Sequence, residues 1–226
     1  MKVGVLLSGS GVYDGSEIHE SVLSLLSLSN NNLEYVCVAP NINQHHVVNH
    51  LNGEESAEER NVLNESSRIA RGDIIALDCL DFNNLSALVI PGGFGVAKNL
   101  SDWAINNTNC QVNKEVKDLI LHCIESKKPI VSLCISPVLI AKSLEGTKYQ
   151  PSLSIGCTQA ASDYDINQLN NSLKTLGADM IDVSKKEIMH DSNLNIITAP
   201  CYMLDSSINE IYIAINKAIL KLKELI

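Results

Sequence analysis

The chain has 226 residues, 45% of them hydrophobic, with 26 acidic against 17 basic side chains and a net charge of −9. This is enough apolar material to bury a full core in one domain spanning residues 1–226. The acidic balance, unbroken by any Lys or Arg cluster, argues against nucleic acid and anionic membranes as partners, and no apolar stretch is long enough to span a bilayer.

The opening run Met1 to Leu7 is too short for a signal-peptide core and reads as a first strand, Val3–Leu7. A helix is predicted from about Ser16 to Leu28, with Ile18, Val22, Leu25 and Leu26 on one apolar face. Leu33–Ala39 is a second strand, followed by a polar stretch, Asn41 to Glu58, that reads as a small surface insertion. Its His45, His46 and His50 have no accompanying carboxylate spacing, so a metal site is not expected. A helix around Glu59–Ala70 precedes strands at Asp73–Leu77 and Ala87–Ile90, the second ending at Pro91-Gly92-Gly93. Val112–Ser126 has helical spacing and feeds a strand at Pro129–Leu133. Beyond it come a helix from Val138 to Leu144, a short strand at Ser152–Gly156, a helix at Asp163–Leu176 and strand pieces at Ile188–His190 and Asn195–Thr198. A terminal helix covers Asp205–Leu225. The two strand pieces flank Asp191-Ser192-Asn193, a turn sequence suited to a hairpin.

The seven cysteines, at 37, 79, 110, 123, 134, 157 and 201, show neither CxxC pairs nor the even count of a disulfide framework. A reducing, cytoplasmic location fits them best. Alternation of strands with helices calls for a mainly parallel sheet covered on both faces. Every strand-to-helix loop then lies at one edge of the sheet. Three such loops, beginning at Ser8, Pro91 and Cys134, should converge on one site.

At the third loop, an apolar strand stops at Cys134 and Ser136-Pro137 open a helix. Such an elbow presents a side chain to backbone N–H groups and to the positive end of the helix, which favours a thiolate nucleophile. The competing account is a buried thiol packed as a small hydrophobe. In the first loop, Gly9 and Gly11 suggest phosphate, but no Lys-Ser/Thr ending completes a P-loop and Glu17 would repel an anion. Glu17 is open to two readings, a functional carboxylate or one half of a capping box with Asp14, and Ser16 could equally be the cap. The glycines of Pro91-Gly92-Gly93-Phe94-Gly95 suit either an oxyanion hole or a tight turn.

Together these loops resemble the superfamily of PfpI-type peptidases, the Parkinsonism-associated deglycase and class I glutamine amidotransferases. Within it, the chain is most similar to the ElbB-type branch of isoprenoid biosynthesis glyoxalases and amidotransferase-like proteins. The resemblance is carried by Gly9 to Glu20, Arg60 to Leu63, Pro91 to Ser101, Lys128-Pro129, Cys134 to Pro137 and Ile197 to Met203. It implies a flavodoxin-like α/β three-layer sandwich, usually dimeric and needing no cofactor. The family's nucleophile falls on Cys134 and its partner carboxylate on Glu17, with oxyanion-hole amides at Gly93 and Ile135.

One departure bears on the reaction. Amidotransferases place a His and a Glu near the C-terminus, whereas Thr198-Ala199-Pro200-Cys201-Tyr202 has neither. Without a histidine base, ammonia release from glutamine is disfavoured. His19, two residues beyond Glu17, should point away from it on a helix. The expectation is a cofactor-independent, glutathione-independent glyoxalase: Cys134 adds to a 2-oxoaldehyde such as methylglyoxal and Glu17 shuttles the proton. The alternatives are a redox or carbonyl-stress sensor with little turnover, or a degenerate amidotransferase-like protein. Tyr13, Asp14 and Gly92 are candidates for the pocket. Lys98 and Asn99 either reach it to steer substrate or face solvent.

Overall fold

The computed structural model describes residues 1–226. The first strand, β1 (Lys2–Leu6), leads into α1 (Ile18–Asn30) and β2 (Tyr35–Ala39), then a small hairpin, β3 (Val47–Val48) with β4 (Glu55–Ser56). Next come α2 (Val62–Ile69), β5 (Ile74–Ala76), β6 (Leu85–Ile90) and two short helices, α3 (Phe94–Lys98) and α4 (Trp103–Asn106). α5 (Lys114–Glu125) precedes β7 (Ile130–Leu133), α6 (Pro137–Leu144) and β8 (Ser152–Leu153). The chain finishes through α7 (Ile166–Thr175), β9 (Asp179–Met180), β10 (Met189–Asp191), β11 (Ile196–Ala199) and α8 (Ile208–Leu225).

Seven strands form the central sheet in the order β10-β11-β7-β6-β1-β2-β5. All neighbours are parallel except β10, which pairs antiparallel with β11 in the hairpin expected around Asp191. The Asp191 carboxylate accepts the amides of Asn193 and Leu194 at 2.9 and 3.2 Å, which closes that turn. From β1 the chain steps one way to β2 and β5, and later the other way through β6, β7 and β11. Right-handed crossovers therefore place α1 and α2 on one face and α5 and α6 on the other. This is the flavodoxin-like α/β sandwich, and its switch in direction falls between β1 and β6. Ligand sites of such sheets lie at the carboxyl ends of the strands flanking that point. The central strands are fully buried, with Val5, Val89, Ile90, Val131, Leu133 and Ile197 at 0% exposure, which is why they read as unbroken apolar runs.

One expectation is corrected and another refined. Helix α1 turns the opposite face inward: it buries Glu20, Ser21, Ser24, Ser27 and Leu28 and packs on α8, while Ile18, Val22 and Leu26 are 38–47% exposed. Serine is short enough for close helix approach, and the Ser21 and Ser24 hydroxyls donate to the carbonyls of Glu17 and Glu20, both at 2.7 Å. The inward turn also carries Glu20 beneath the sheet edge. The polar stretch 41–58 is the mostly exposed insertion expected, but it is anchored to the fold. Its β3–β4 hairpin buries Val47 and Val48, and the Val48 amide donates to Asp14 Oδ2 at 2.8 Å, bracing the loop after β1.

Candidate active site

Strand β7 ends at Cys134, whose φ of +57° is the left-handed elbow conformation. Three contacts impose it. The Cys134 amide donates to Ala199 O at 2.9 Å, continuing the β7–β11 ladder. Two residues on, the Ser136 hydroxyl donates to Ile90 O at 2.9 Å and lies 2.7 Å from Ser132 Oγ. Pro137 then starts α6 at a position where its missing N–H costs nothing. The sulfur is held at the positive end of that helix, close to the amides of Ile135 and Gly93.

The loops after β1 and β6 are sewn to each other around this thiol. The Glu17 amide donates to Gly92 O at 2.9 Å, Phe94 N to Val12 O at 2.8 Å and Gly95 N to Gly15 O at 2.8 Å. Gly92 has no space for a side chain: a Cβ there would fall 2.5 Å from Cys134 Cβ and 2.9 Å from its Sγ. Gly93, at φ +99°, would drive a Cβ into the Glu17 amide. The glycine pair is therefore required by close approach to the thiol and by backbone conformation.

The carboxylate that meets the sulfur is Glu20. It is fully buried, accepts the Gly92 amide at 2.8 Å and lies beside the Cys134 side chain. Burial first, and the neighbouring Glu17 second, push Glu20 up to about 8. Burial likewise pushes the Cys134 thiol up, reinforced by the charge of Glu20, while the amides of Ile135 and Gly93 pull it down. Below a pH of about 8 carboxyl and thiol therefore each keep a proton, and above it they share the one that remains and titrate as a unit. With the proton on sulfur, Cys134 donates to Glu20. With it on Glu20, a thiolate faces two amides, and the net charge of the pair is unchanged.

Glu17 is placed differently. It caps α1 itself, its Oε2 accepting the Glu20 amide at 2.7 Å, and its remaining surface lines the cavity above Cys134. Neither Asp14 nor Ser16 is the cap: Ser16 Oγ accepts the Ser8 amide at 2.8 Å, and Asp14 accepts Val48. Burial also raises Glu17 above the ordinary carboxylate range.

A cavity of about 400 Å³ opens over the sulfur. Its walls come from Val12 in the first loop, Phe94 and Ala97 in α3, Trp103 to Ile105 in α4, Ile135 at the elbow, Tyr164 and Leu169 around α7, and Tyr202 and Met203 after β11. Cys134 is buried to 6% exposure yet lines this space, so the thiol is covered from bulk water and open to the cavity. Tyr164 is pushed up to about 12, by burial first and then by the nearby sulfur, and so keeps its proton as a donor. The Tyr202 hydroxyl lies 2.7 Å from His19 Nδ1, which ties that histidine to a wall residue.

The structure brings together Cys134, Glu17, Gly92, Gly93 and Ile135, and leaves the other candidates in the surrounding scaffold. Tyr13 is 42% exposed and stacks near His50, with ring centroids 4.9 Å apart. Lys98 does not reach the cavity, because its ammonium donates to Tyr13 O and His46 Nε2, each at 3.0 Å. Asn99 clamps the first loop, donating to Ser8 O and Asp14 O at 2.8 Å while accepting the His45 amide at 2.9 Å. Glu20, Trp103, Tyr164, Tyr202 and Cys201 were not singled out in the sequence. Cys201, beyond Pro200 after β11, is also in the left-handed region at φ +48°, and burial keeps it a neutral thiol.

No protein-family model matches the chain. The chain is 39% identical over 226 residues to the ES1 protein homolog, mitochondrial, of Rattus norvegicus, covering 99% of this chain and 84% of the relative. It is 38% identical over 226 residues to the glutamine amidotransferase-like class 1 domain-containing protein 3, mitochondrial, of Homo sapiens, covering 99% and 83%. Among solved structures, it superposes with a TM-score of 0.89 and 32% identity on an isoprenoid biosynthesis protein with amidotransferase-like domain from Ehrlichia chaffeensis, covering 100% of both chains. The two relatives, and the ES1 protein of Danio rerio, are all named as mitochondrial, which overturns the cytoplasmic location expected from cysteine usage. Free thiols do not distinguish one reducing compartment from another. On identity, coverage and fold, the chain belongs to the ES1 family of amidotransferase-like proteins, within the PfpI and class I glutamine amidotransferase-like superfamily.

Proposed function

We propose that the protein is a cofactor-independent enzyme of glyoxalase type, converting 2-oxoaldehydes to 2-hydroxy acids. The observation that carries this reading is Cys134 at the floor of a cavity that also holds the Glu17 carboxyl, with the buried Glu20 carboxyl behind the sulfur. In molecules whose Glu20 is ionised, Cys134 Sγ adds to the aldehyde carbon while Glu20 takes the thiol proton, and the amides of Gly93 and Ile135 hold the developing oxyanion. In the resulting hemithioacetal, Glu17 removes the proton from the former aldehyde carbon and returns it to the adjacent carbon, giving a 2-hydroxy thioester. Water cleaves the thioester, restores the thiol and releases the acid, so the net change is addition of one water.

No histidine lines the cavity, and His190 lies on β10, outside its wall. This supports carbonyl chemistry over glutamine hydrolysis, which asks for an imidazole base. The test is lactate formation from methylglyoxal without glutathione, with Cys134→Ala, Glu17→Gln and Glu20→Gln run beside the natural protein. Lactate formed by Cys134→Ala at the unaltered rate would rule the mechanism out.

A homodimer is supported on separate ground. The stripe Ile18, Val22 and Leu26 leaves an apolar ridge of α1 open to solvent, and we assign the contact with a second copy to that ridge.

A further inference from the structure

The cavity is larger and drier than a three-carbon aldehyde requires. At about 400 Å³ it falls within the size range that encloses drug-sized ligands. Above the reacting groups, its wall is aromatic and aliphatic: Phe94, Trp103, Ile105, Ile135, Tyr164 and Leu169. Polar chemistry is confined to Cys134, Glu17, Asn107 and the two tyrosine hydroxyls, and no Lys, Arg or His contributes to the wall. Lys98, the nearest candidate cation in the sequence motif, does not line the cavity: its ammonium is engaged by Tyr13 O and His46 and sits 4.8 Å from the Phe94 ring centroid. A carboxylate or phosphate on the substrate would lose its water here without gaining a counter-charge. An apolar tail would displace water from apolar surface instead.

Resting on the carbonyl chemistry proposed above, we infer that the site takes neutral carbonyl compounds bearing an apolar tail, with the carbonyl at Cys134 and the tail running between Trp103, Phe94 and Leu169 towards Ile105 and Tyr164. A tail of roughly six carbons or an aryl ring suits a cavity of this class. Methylglyoxal fills only its floor. Ile105 and Tyr164, 58% and 37% exposed, mark the mouth. The sole tryptophan of the chain, Trp103, sits in the wall and reports occupancy directly.

Two readouts on the full chain test this. In the first, 2-oxoaldehydes of increasing length, from 2-oxopropanal to 2-oxooctanal, are compared by kcat/KM, beside one whose tail ends in a carboxylate. Burial of each added methylene should raise kcat/KM by about four-fold over the first few carbons, and the carboxylate should abolish that gain. In the second, Trp103 fluorescence is titrated with unreactive 2-octanone and with acetone. Octanone should bind and acetone should not, and Ile105→Lys, at the exposed mouth, should weaken octanone and recover the carboxylate-tailed compound. Octanone binding without turnover of any 2-oxoaldehyde supports the ligand class while removing the glyoxalase reaction. Methylglyoxal turned over as well as 2-oxooctanal, with no tail-dependent change at Trp103, overturns the inference and leaves the reaction standing.

Discussion

The Gly92 amide donates to Glu20 Oε2 at 2.8 Å, so the glycine turn after β6 fixes the carboxyl beside the Cys134 side chain. A methyl group at position 92 would collide with the Cys134 Cβ and press on that same oxygen. Gly92→Ala should therefore cost about 1–3 kcal/mol by overpacking and displace the thiol from its amides. Denaturant unfolding measures the first effect. The rate of Cys134 alkylation by iodoacetamide measures the second, which should fall even at temperatures where the variant remains folded.

Glu20 makes stability depend on pH in a stated direction. Its folded value of about 8 lies above the ordinary 4.5, so between these limits the folded chain binds more protons than the unfolded one. Stability is then complete below about 4.5 and declines as pH rises through 8. Glu17, also raised by burial, adds a contribution of the same sign. Urea midpoints should fall between pH 5 and pH 8 in the natural protein, and Glu20→Gln should flatten most of that slope. An equal slope in the variant would place the titrating group elsewhere.

The two carboxyls should separate kinetically. Glu20 touches the sulfur, whereas Glu17 faces the cavity and caps α1. Glu20→Gln should slow both Cys134 alkylation and turnover, while Glu17→Gln should leave alkylation at the natural rate. Loss of a positioned proton shuttle typically lowers kcat by about 10²–10⁴-fold, and that loss is expected in both variants. Stopped-flow alkylation and steady-state lactate formation distinguish them.

Asn99 offers a control outside the chemistry. Truncation by Asn99→Ala strips the Ser8 and Asp14 carbonyls of their donor, at a cost of about 1–3 kcal/mol for orphaned buried acceptors. Thermal unfolding should register that loss, and kcat should fall less than in either glutamate variant.

The exposed ridge on α1 leads to an association test. Val22→Glu and Leu26→Glu should turn a homodimer into a monomer in light scattering without altering the far-ultraviolet circular dichroism. Unchanged mass would exclude that ridge as the interface.

The sequence makes the architecture readable because its signals are local: strand-length apolar runs, glycines after β6, and a cysteine between a strand and a Ser-Pro helix start. The rotation of α1 is not readable the same way. Ile18, Val22 and Leu26 carry the apolar signal, yet tertiary packing selects the serine face. A stripe of Glu20, Ser24 and Ser27 at spacings of four and three was the available sign that this face approaches another element closely. It would have moved attention from Glu17 to Glu20. The cavity wall left no comparable sign, since Trp103, Tyr164 and Tyr202 come from separate loops and meet only after the sheet has assembled.

The parked ammonium of Lys98 has a consequence for turnover. The proposed reaction starts from a neutral molecule and finishes with an anion, inside a chamber whose one charged wall residue is itself an acid. Reactant is welcomed by greasy surroundings that have nothing to offer its product once the negative charge appears. Departure is thereby built into the same surface that governs entry, and accumulating hydroxy acid should be a poor inhibitor.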